Sequence, residues 1–591
     1  MRDMFFALAF ASASAFGSDA ELVAARAAQL AHKTPRVLPA RVVRTAGKVA
    51  NAVNLLSLDG KSATLTGGAE KPVVVLDLGA ASLSGYAVLH VTGFTGTPRL
   101  RISYACYPEE SVLSEEGDYG TYMRGSYMGR DTEIPVLPAN VNRRELYTIS
   151  RTGTVLAPML MPQARYARVQ LDTEGEVSLD GIEWFVGDTY DRQPLAGYFK
   201  SSDPDLDLHW QMGVWTAQFC TLNDVDAWRA IDGWLLPRRL EKGKEVGLSR
   251  QAFDLPSGSL ETVFETRIAP DMYAEAGLAL FASDPDNALL LSLDEGGVLR
   301  FIRRLNGRDN PLLETRLEGV RLVDCRPYRL GVRFAPMKKK LFLSRGTEIT
   351  VSLDGRDVCT FDYYHNRQGA KFGFWTPKSR WPVFDSVTLK DGAGKTVFAD
   401  GFDDAKLANW DFERPLPFVA DGAKRDRLIW SGDLWWAGRN LYYGVADQYG
   451  MRDSLKLLAF NQTPEGYVHA CPYSEGAKPK AGDWGMFESD EFAAWFVPVL
   501  WDYYLYTGDD ATLKELFPAL EKLMDYLKPF VGKDGIFEPR YETSKHAFSA
   551  GLQAGDVRHR SYMDILLYEC WKDAARILAG WRQAISPACT A

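Results

Sequence analysis

The chain of 591 residues is long enough for three or four domains, because a single domain usually holds roughly 100–200 residues. Its apolar fraction of 46% and charged fraction of 25% are ordinary values for a globular protein. The net charge of −9 argues against a nucleic-acid backbone as partner. Aromatic residues make up 12% of the chain, and Trp and Tyr suit sugar rings as well as large β-rich cores.

The first 20 residues predict an export signal. Arg2 supplies a positive charge ahead of a short apolar run and a stretch of small residues that suits cleavage. We therefore expect residues 1–20 to be a signal peptide and the protein to be secreted or periplasmic. No later stretch approaches the roughly 20 apolar residues of a membrane span. The seven scattered cysteines include no CxxC pair and fit neither a disulfide framework nor a zinc site.

Residues 43–200 predict a first β-sandwich. Short runs of β-branched or alternating apolar residues, such as 73–78, are separated by Gly, Pro and Asp. Many strands at this spacing are typical of a sandwich. A linker helix is expected within residues 201–230, where Asp203 precedes a proline that is well placed in a first helical turn.

Residues 231–410 predict a second β-sandwich. The run 260–268 alternates between apolar and polar residues, as a half-buried strand does. Two further runs, 349–353 and 357–361, flank an Asp-Gly pair that predicts a two-residue hairpin turn at Asp354.

Residues 415–591 predict a helical domain, because the apolar period changes from 2 to 3.6 after Ser431. Leu434, Leu441, Val445 and Tyr449 share one stripe of a first helix. Three more helices are expected at 492–506, 510–530 and 562–579. Paired helices punctuated by Asp and Gly indicate stacked αα-hairpins.

The segment 421–433, with the sequence DGAKRDRLIWSGD, is the most distinctive in the chain. It sets three acids among three cations, which is typical of a polar site. Ser431 precedes the predicted helix and has a side chain able to cap the free N–H groups of a first turn. The alternative is a capped surface helix preceded by a solvated run of charges.

This segment resembles the signature at the start of the catalytic domain of bacterial α-L-rhamnosidases, glycoside hydrolase family 78. The segments 489–495 and 504–509 are also similar to that family, and the resemblance extends over roughly 70–225 and 415–580. It implies an inverting glycosidase that acts on terminal α-L-rhamnose. The block 231–410 is similar to concanavalin-type, laminin-G-like sandwiches.

The expected fold class is therefore multidomain α and β. It consists of an N-terminal β-sandwich, an inserted concanavalin-like β-sandwich and a C-terminal partial (α/α)6 barrel. The spacing of the candidate residues implies no metal or organic cofactor, and the resemblance leaves a structural calcium ion open. The expected partner is a carbohydrate, with no nucleic acid and no membrane span, and the oligomeric state stays open.

The resemblance implies that Asp426 is the general acid. Inverting hydrolysis needs one protonated carboxyl group beside the glycosidic oxygen and an ionised one about 6.5–9.5 Å away to activate water. Many family members place this acid as a Glu directly after an Arg-Asp pair. Here one residue is missing, because Arg427 follows Asp426 directly. The alternative for Asp426 is an ion pair with Arg425 or Arg427.

The resemblance also implies a set of substrate-binding residues. Three charged residues match positions that hold sugar hydroxyls through charge-assisted hydrogen bonds: Asp421, Arg425 and Asp433. Trp430 matches an aromatic residue that packs on the sugar, with a core tryptophan as the alternative. Trp484 and Asp490 are further candidates, and a structural role is the alternative for each.

Two departures from the family affect the expected activity. The block 231–410 has no counterpart in the simplest members. Only 171 residues run from Asp421 to Ala591, whereas twelve helices of roughly 12 residues with their loops need more. The half of the barrel that supplies the family's catalytic base is missing from this sequence, which resembles a truncated enzyme, and we expect little or no hydrolysis. The alternatives are a non-catalytic carbohydrate-binding protein and a six-hairpin hydrolase of another sugar.

Overall fold

The computed structural model describes residues 36–585 apart from sixteen gaps. The gaps are 80–82, 110–112, 116, 118–143, 158–160, 187–192, 223–227, 238–245, 267–274, 338–345, 377–381, 404–406, 413–415, 423–427, 472–488 and 539–556. The chain forms two compact units. The first comprises the described residues within 36–187 and 226–414, and the second the described residues within 188–225 and 415–585.

The first unit begins with a sandwich of two antiparallel sheets, here called the first sandwich. Its strands are β1 (Arg36–Val37), β2 (Arg41–Ala46), β3 (Val49–Ala50), β4 (Ala63–Thr66), β5 (Val73–Asp77), β6 (Leu83–Thr95), β7 (Arg99–Ala105), β8 (Arg144–Thr148), β9 (Gly153–Leu156), β10 (Met161–Ala164), β11 (Tyr166–Leu171) and β12 (Glu176–Val186). One sheet has the order β10-β6-β12-β4-β3, with β1 on β12 and β9 on β6, and the other the order β2-β5-β11-β7-β8. Alternate residues of both sheets fill one core between them.

The second sandwich also lies in the first unit. Its strands are β14 (Trp228–Ile231), β15 (Trp234–Pro237), β16 (Val246–Ser249), β17 (Gly258–Thr266), β18 (Glu275–Asp284), β19 (Asn287–Asp294), β20 (Val298–Leu305), β21 (Arg308–Arg316), β22 (Tyr328–Pro336), β23 (Thr347–Leu353), β24 (Arg356–Tyr363), β25 (Lys371–Trp375), β26 (Pro382–Asp391), β27 (Thr396–Asp400) and β28 (Trp410–Asp411). One sheet has the order β14-β15-β26-β17-β22-β23-β24, with β27 on β26, and the other the order β21-β20-β19-β18-β25-β16-β28. The prediction of two β-sandwiches is thus confirmed.

The hairpin predicted at Asp354 joins β23 to β24. Asp354 and the glycine after it have φ angles of 50° and 79°, as the two-residue turn requires, and Leu353 pairs with Arg356.

The two sandwiches are packed against each other within the first unit. An apolar cluster, here called the inter-sandwich contact, joins residues of both: Tyr86, Val88, Leu156, Ile231, Trp234, Leu236 and Val383. Arg151 of the first sandwich pairs with the fully buried Glu265 of the second. The backbone N–H of Thr148 donates to Asp324 Oδ2 at 2.8 Å. A buried apolar contact flanked by an ion pair and a hydrogen bond is typical of a stable interface.

The second unit contains six helices among the residues that the structure describes. They are α1 (Pro204–Cys220), α2 (Asp433–Gly444), α3 (Tyr449–Phe460), α4 (Asp490–Thr507), α5 (Asp510–Leu527) and α6 (Val557–Ile585). A short ribbon pairs β13 (Thr221–Leu222) with β29 (Phe418–Val419). One apolar core is shared by all six helices and the ribbon. The six-hairpin barrel itself stays a prediction, and no described helix is long and apolar enough to cross a bilayer.

The stripe predicted from Leu434 to Tyr449 is divided between two helices. α2 ends at Gly444, and α3 begins at Tyr449. The N–H groups of Ala196 and Gly197 both donate to the carbonyl of Gly444, and Val214 of α1 packs so closely that a Cβ on Gly444 would lie 2.1 Å from it. The end of α2 is therefore in contact with residues more than 200 positions earlier in the chain, while Gln448 Nε2 donates locally to the carbonyls of Leu441 and Val445.

Candidate functional site

The described end of the signature segment, from Leu428 to Asp433, leads into α2 and lies beside the start of α4. Ser431 is fully buried just before α2, and its Oγ donates to the carbonyl of Phe492 at 2.6 Å. Its backbone N–H donates to the carbonyl of Ala470 at 3.0 Å. A Cβ on Gly432 would lie 2.8 Å from the Phe492 ring, so glycine permits this approach. The N-terminal ends of α2 and α4 are therefore adjacent.

The predicted cap of α2 by Ser431 is wrong. Gly432 occupies the position before the helix, and no side chain caps the first turn. The serine hydroxyl is instead engaged with the carbonyl of Phe492, 61 residues away. The signature serine thus links two helices and does not cap one.

Two hydrogen bonds join Asp421 and Leu428, the ends of the first part of the signature segment. The N–H of Asp421 donates to the carbonyl of Leu428 at 2.9 Å, and its Oδ1 accepts from the N–H of Leu428 at 3.1 Å. Asp426 and Arg425 lie between these ends, in the part of the chain outside the described residues, as does Trp484.

Trp430 is 3% exposed, and its ring meets Phe492 edge-on with centroids 5.7 Å apart. This packing belongs to the junction of α2 and α4. The predicted stacking of Trp430 on a sugar ring stays a prediction.

The first turn of α4 carries two acids with different surroundings. Ser489 caps the helix by accepting from the Phe492 N–H at 3.2 Å, and its own N–H donates to the Tyr467 hydroxyl at 3.0 Å. Asp490 is half-buried and accepts from the Tyr526 hydroxyl at 2.8 Å. Glu491 is only 2% exposed. Both acids lie at the positive end of the helix dipole, which favours negative charge there.

Three residues at this junction were missed as site candidates by the sequence reasoning: Tyr467, His469 and Tyr526. Tyr467 and His469 are each 1% exposed, and their rings lie 5.6 Å apart between the two helix starts. The available signal was a histidine inside the apolar run 467–471, which predicts a buried polar group that needs partners.

The structure therefore brings Trp430, Asp433 and Asp490 to one junction. It joins Asp421 to Leu428 of the same signature segment. Two helix N-termini, two half-buried carboxylates and buried tyrosine and histidine groups therefore lie at this junction. Carboxylates and N–H groups are hydrogen-bond partners of hydroxyl groups. Within the described residues, no group of three or more His, Cys, Asp and Glu side chains is arranged to hold a metal ion.

Comparison with known proteins gives distant structural likenesses. No protein-family model matches the chain, and no curated protein matches it. Among solved structures it is similar to a rhamnosidase from Klebsiella oxytoca with rhamnose bound, at 12% identity and a TM-score of 0.46, over 94% of this chain and 67% of that one. It is also similar to the carbohydrate-binding module CBM66 from Bacillus subtilis, at 17% identity and a TM-score of 0.21, over 28% and 91% of the two chains. For sheep galectin-11 the identity is 12% and the TM-score 0.19, over 24% and 94%.

Proposed function

We propose that the second unit is a glycoside hydrolase domain of the α-L-rhamnosidase type and that its site binds the terminal α-L-rhamnose of a glycan. One observation supports this most strongly. Asp433 and Asp490 belong to two separate segments that resemble the same enzyme family, and they begin two helices joined by the Ser431–Phe492 hydrogen bond. The junction thus unites segments that the resemblance relates to one function.

The proposed roles follow from the chemistry of the residues. Asp421, Arg425, Asp433 and Asp490 bind the sugar hydroxyls, because charged partners make stronger hydrogen bonds than neutral ones. Trp430 and Trp484 complete the sugar site. Asp426 donates a proton to the leaving oxygen, and a second carboxylate about 6.5–9.5 Å away activates the water.

A calorimetric titration of the 591-residue chain with L-rhamnose tests the binding site. We expect Asp490→Asn to weaken binding about tenfold or more, because a neutral amide replaces a charged acceptor. The matched control is Asp510→Asn. Asp510 also begins a helix and also accepts from a tyrosine hydroxyl, that of Tyr504 at 2.9 Å. Equal affinities for wild type and Asp490→Asn would contradict the assignment.

The role of Asp426 is tested by two substrates. In a chain that carries the complete helical barrel, Asp426→Asn should lower hydrolysis of a rhamnoside with a poor leaving group far more than hydrolysis of an activated aryl rhamnoside, because an activated aglycone needs little protonation. Equal losses on both substrates would instead indicate a binding role. Rhamnose binding by that complete barrel with an intact Asp426, without turnover of either substrate, would identify a carbohydrate-binding protein.

A further inference from the structure

Helix α6 has apolar side chains on two opposite faces. The inner face belongs to the core of the second unit and carries Met563, Leu566, Leu567, Cys570, Ala574 and Ile577. On the outer face, Ile565 and Tyr568 are each 67% exposed, and Leu578 is 40% exposed. A group of exposed apolar side chains along one helix face commonly marks an interaction surface.

The outward residues of α6 follow the spacing of a coiled coil. Within the described residues 561–580 they are separated alternately by four and three positions: Ser561, Ile565, Tyr568, Lys572, Ala575 and Ala579. All are exposed except Lys572, which is half-buried. A repeat of about 3.5 residues keeps one stripe of a helix towards a partner helix along its whole length. We call this set of six residues the α6 stripe.

The α6 stripe matches a second copy of itself in the antiparallel orientation. Its first half carries large side chains, and its second half ends in two alanines. With the two-fold axis between positions 573 and 574, Tyr568 would lie opposite Ala579 of the second copy, and Lys572 opposite Ala575. A parallel pair would instead bring each Lys572 against its own counterpart, where like charges repel.

The two edges of the α6 stripe are also self-complementary in this register. On one edge, Glu569 would lie beside Arg576 of the second copy, so that opposite charges meet twice across the axis. On the other edge, Trp571 would lie beside Leu578 of the second copy, so that two apolar side chains meet. One antiparallel register therefore satisfies the stripe and both of its edges.

Glu569 and Arg576 remain accessible to a second copy. Each has a partner within its own helix, namely Lys572 for Glu569 and Asp573, at 2.9 Å, for Arg576. Their side chains are nevertheless 41% and 50% exposed. Exposed charges at the edge of an interface govern orientation and choice of partner more than total affinity.

We propose that the α6 stripe is a dimer interface, in which two copies of the chain pair through antiparallel α6 helices. The match of large to small side chains and of acid to base selects a second copy as the occupant. Positions 568–579 extend about 17 Å along the helix. A helix pair of this length buries less than the about 800 Å² per partner of a standard interface, so we expect a reversible dimer with a dissociation constant in the micromolar range.

Sedimentation velocity of the full chain tests the dimer over concentrations from about 1 to 100 μM, which bracket the expected dissociation constant. The sedimentation coefficient should rise from the value of a monomer to that of a dimer and then stay constant, because a self-complementary contact closes at two copies. Tyr568→Glu places a charge within the stripe and should weaken dimerisation about tenfold or more. Tyr568 is exposed, so the core of the second unit is left intact.

Charge reversal tests the antiparallel register. Glu569→Arg and Arg576→Glu should each weaken dimerisation about tenfold, because each brings like charges together across the axis. The double variant restores opposite charges and should regain the affinity of the wild type. Positions 569 and 576 are two turns apart in their own helix, so this recovery cannot come from a contact within one chain. The matched control is Glu521→Arg, which reverses an exposed charge on α5 and should leave dimerisation unchanged.

Three outcomes would overturn the proposal. The first is a monomer at every concentration. The second is association that continues beyond two copies or is equally strong in Tyr568→Glu. The third is a double variant that dimerises no better than Glu569→Arg alone, since this would show that residues 569 and 576 do not meet.

Discussion

Glu145 is a carboxyl group enclosed in the core of the first sandwich. It is 3% exposed, and its Oε2 accepts from the hydroxyl of the fully buried Tyr104 at 2.6 Å. Burial raises the pKa of Glu145 from 4.5 to about 7, with the hydrogen bonds from Tyr104 and Tyr147 acting in the opposite direction. The folded protein therefore holds a proton at a pH where the unfolded chain has released it.

The sign of the resulting pH dependence follows from linkage. Between pH 4.5 and about 7 the folded state binds more protons than the unfolded state. The contribution of Glu145 to the free energy of unfolding is therefore full below pH 4.5 and is lost as the pH rises to about 7. We expect a loss of about 3 kcal/mol over this range, as an order of magnitude. Glu145→Gln should remove this slope. Denaturant unfolding of both proteins from pH 5 to 8 measures it, and parallel curves would show that Glu145 does not titrate in this range.

At the scale of single elements, helix packing in the second unit depends on glycines at close approaches. A Cβ on Gly444 would lie 2.1 Å from Val214 Cγ1, at the contact of α1 with the end of α2. We expect Gly444→Ala to lower the free energy of unfolding by about 1–3 kcal/mol, because the added methyl group overpacks the contact.

The matched control for this substitution is Gly580→Ala. Gly580 lies inside α6, and nothing would meet its added Cβ within 4 Å. Alanine should therefore stabilise that helix by up to about 1 kcal/mol. Thermal unfolding of both variants checks these expectations. Similar shifts in melting temperature would mean that overpacking against Val214 does not cause the effect of Gly444→Ala.

The elements also show what the sequence predicts and what it does not. Both ends of α4 carry local signals, the capping Ser489 and Gly508 with a φ of 63°, so its bounds were predictable. The end of α2 also contacts Val214 and the segment of Ala196 and Gly197, which lie far away in the chain. Local periodicity has no information on such a contact.

The candidate site also combines local signals, which the sequence shows, with long-range contacts, which it does not. Asp433 and Asp490 were identified from motifs within their own segments. The hydrogen bond from Ser431 to Phe492 joins residues 61 positions apart, and the site partners Tyr467 and Tyr526 meet Ser489 and Asp490 only in three dimensions. Residue types were therefore readable from the sequence, whereas their partners were not.

At the scale of the whole molecule, the inter-sandwich contact predicts that the two sandwiches unfold together. Trp234 lies in this contact, and the guanidinium of Arg151 lies 5.4 Å from its ring centroid. We expect Trp234→Ala to cost about 3–5 kcal/mol, because it leaves a large cavity. Hydrogen exchange should show this loss in β12 of the first sandwich as well as in β17 of the second. Loss of protection confined to β17 would show that the sandwiches open separately.

The ribbon of β13 and β29 has a consequence for how this chain can be rearranged. Thr221 pairs with Val419 and Leu222 with Phe418, so the polypeptide leaves the second unit and returns to it at neighbouring points. Paired residues on antiparallel strands lie about 5 Å apart, a gap that a short turn spans. A gene could thus lose or exchange the segment between them without stretching the backbone. Excision would nevertheless expose Tyr86, Val88 and Leu156 to water, so a substitute segment would need an apolar surface that fits the first sandwich.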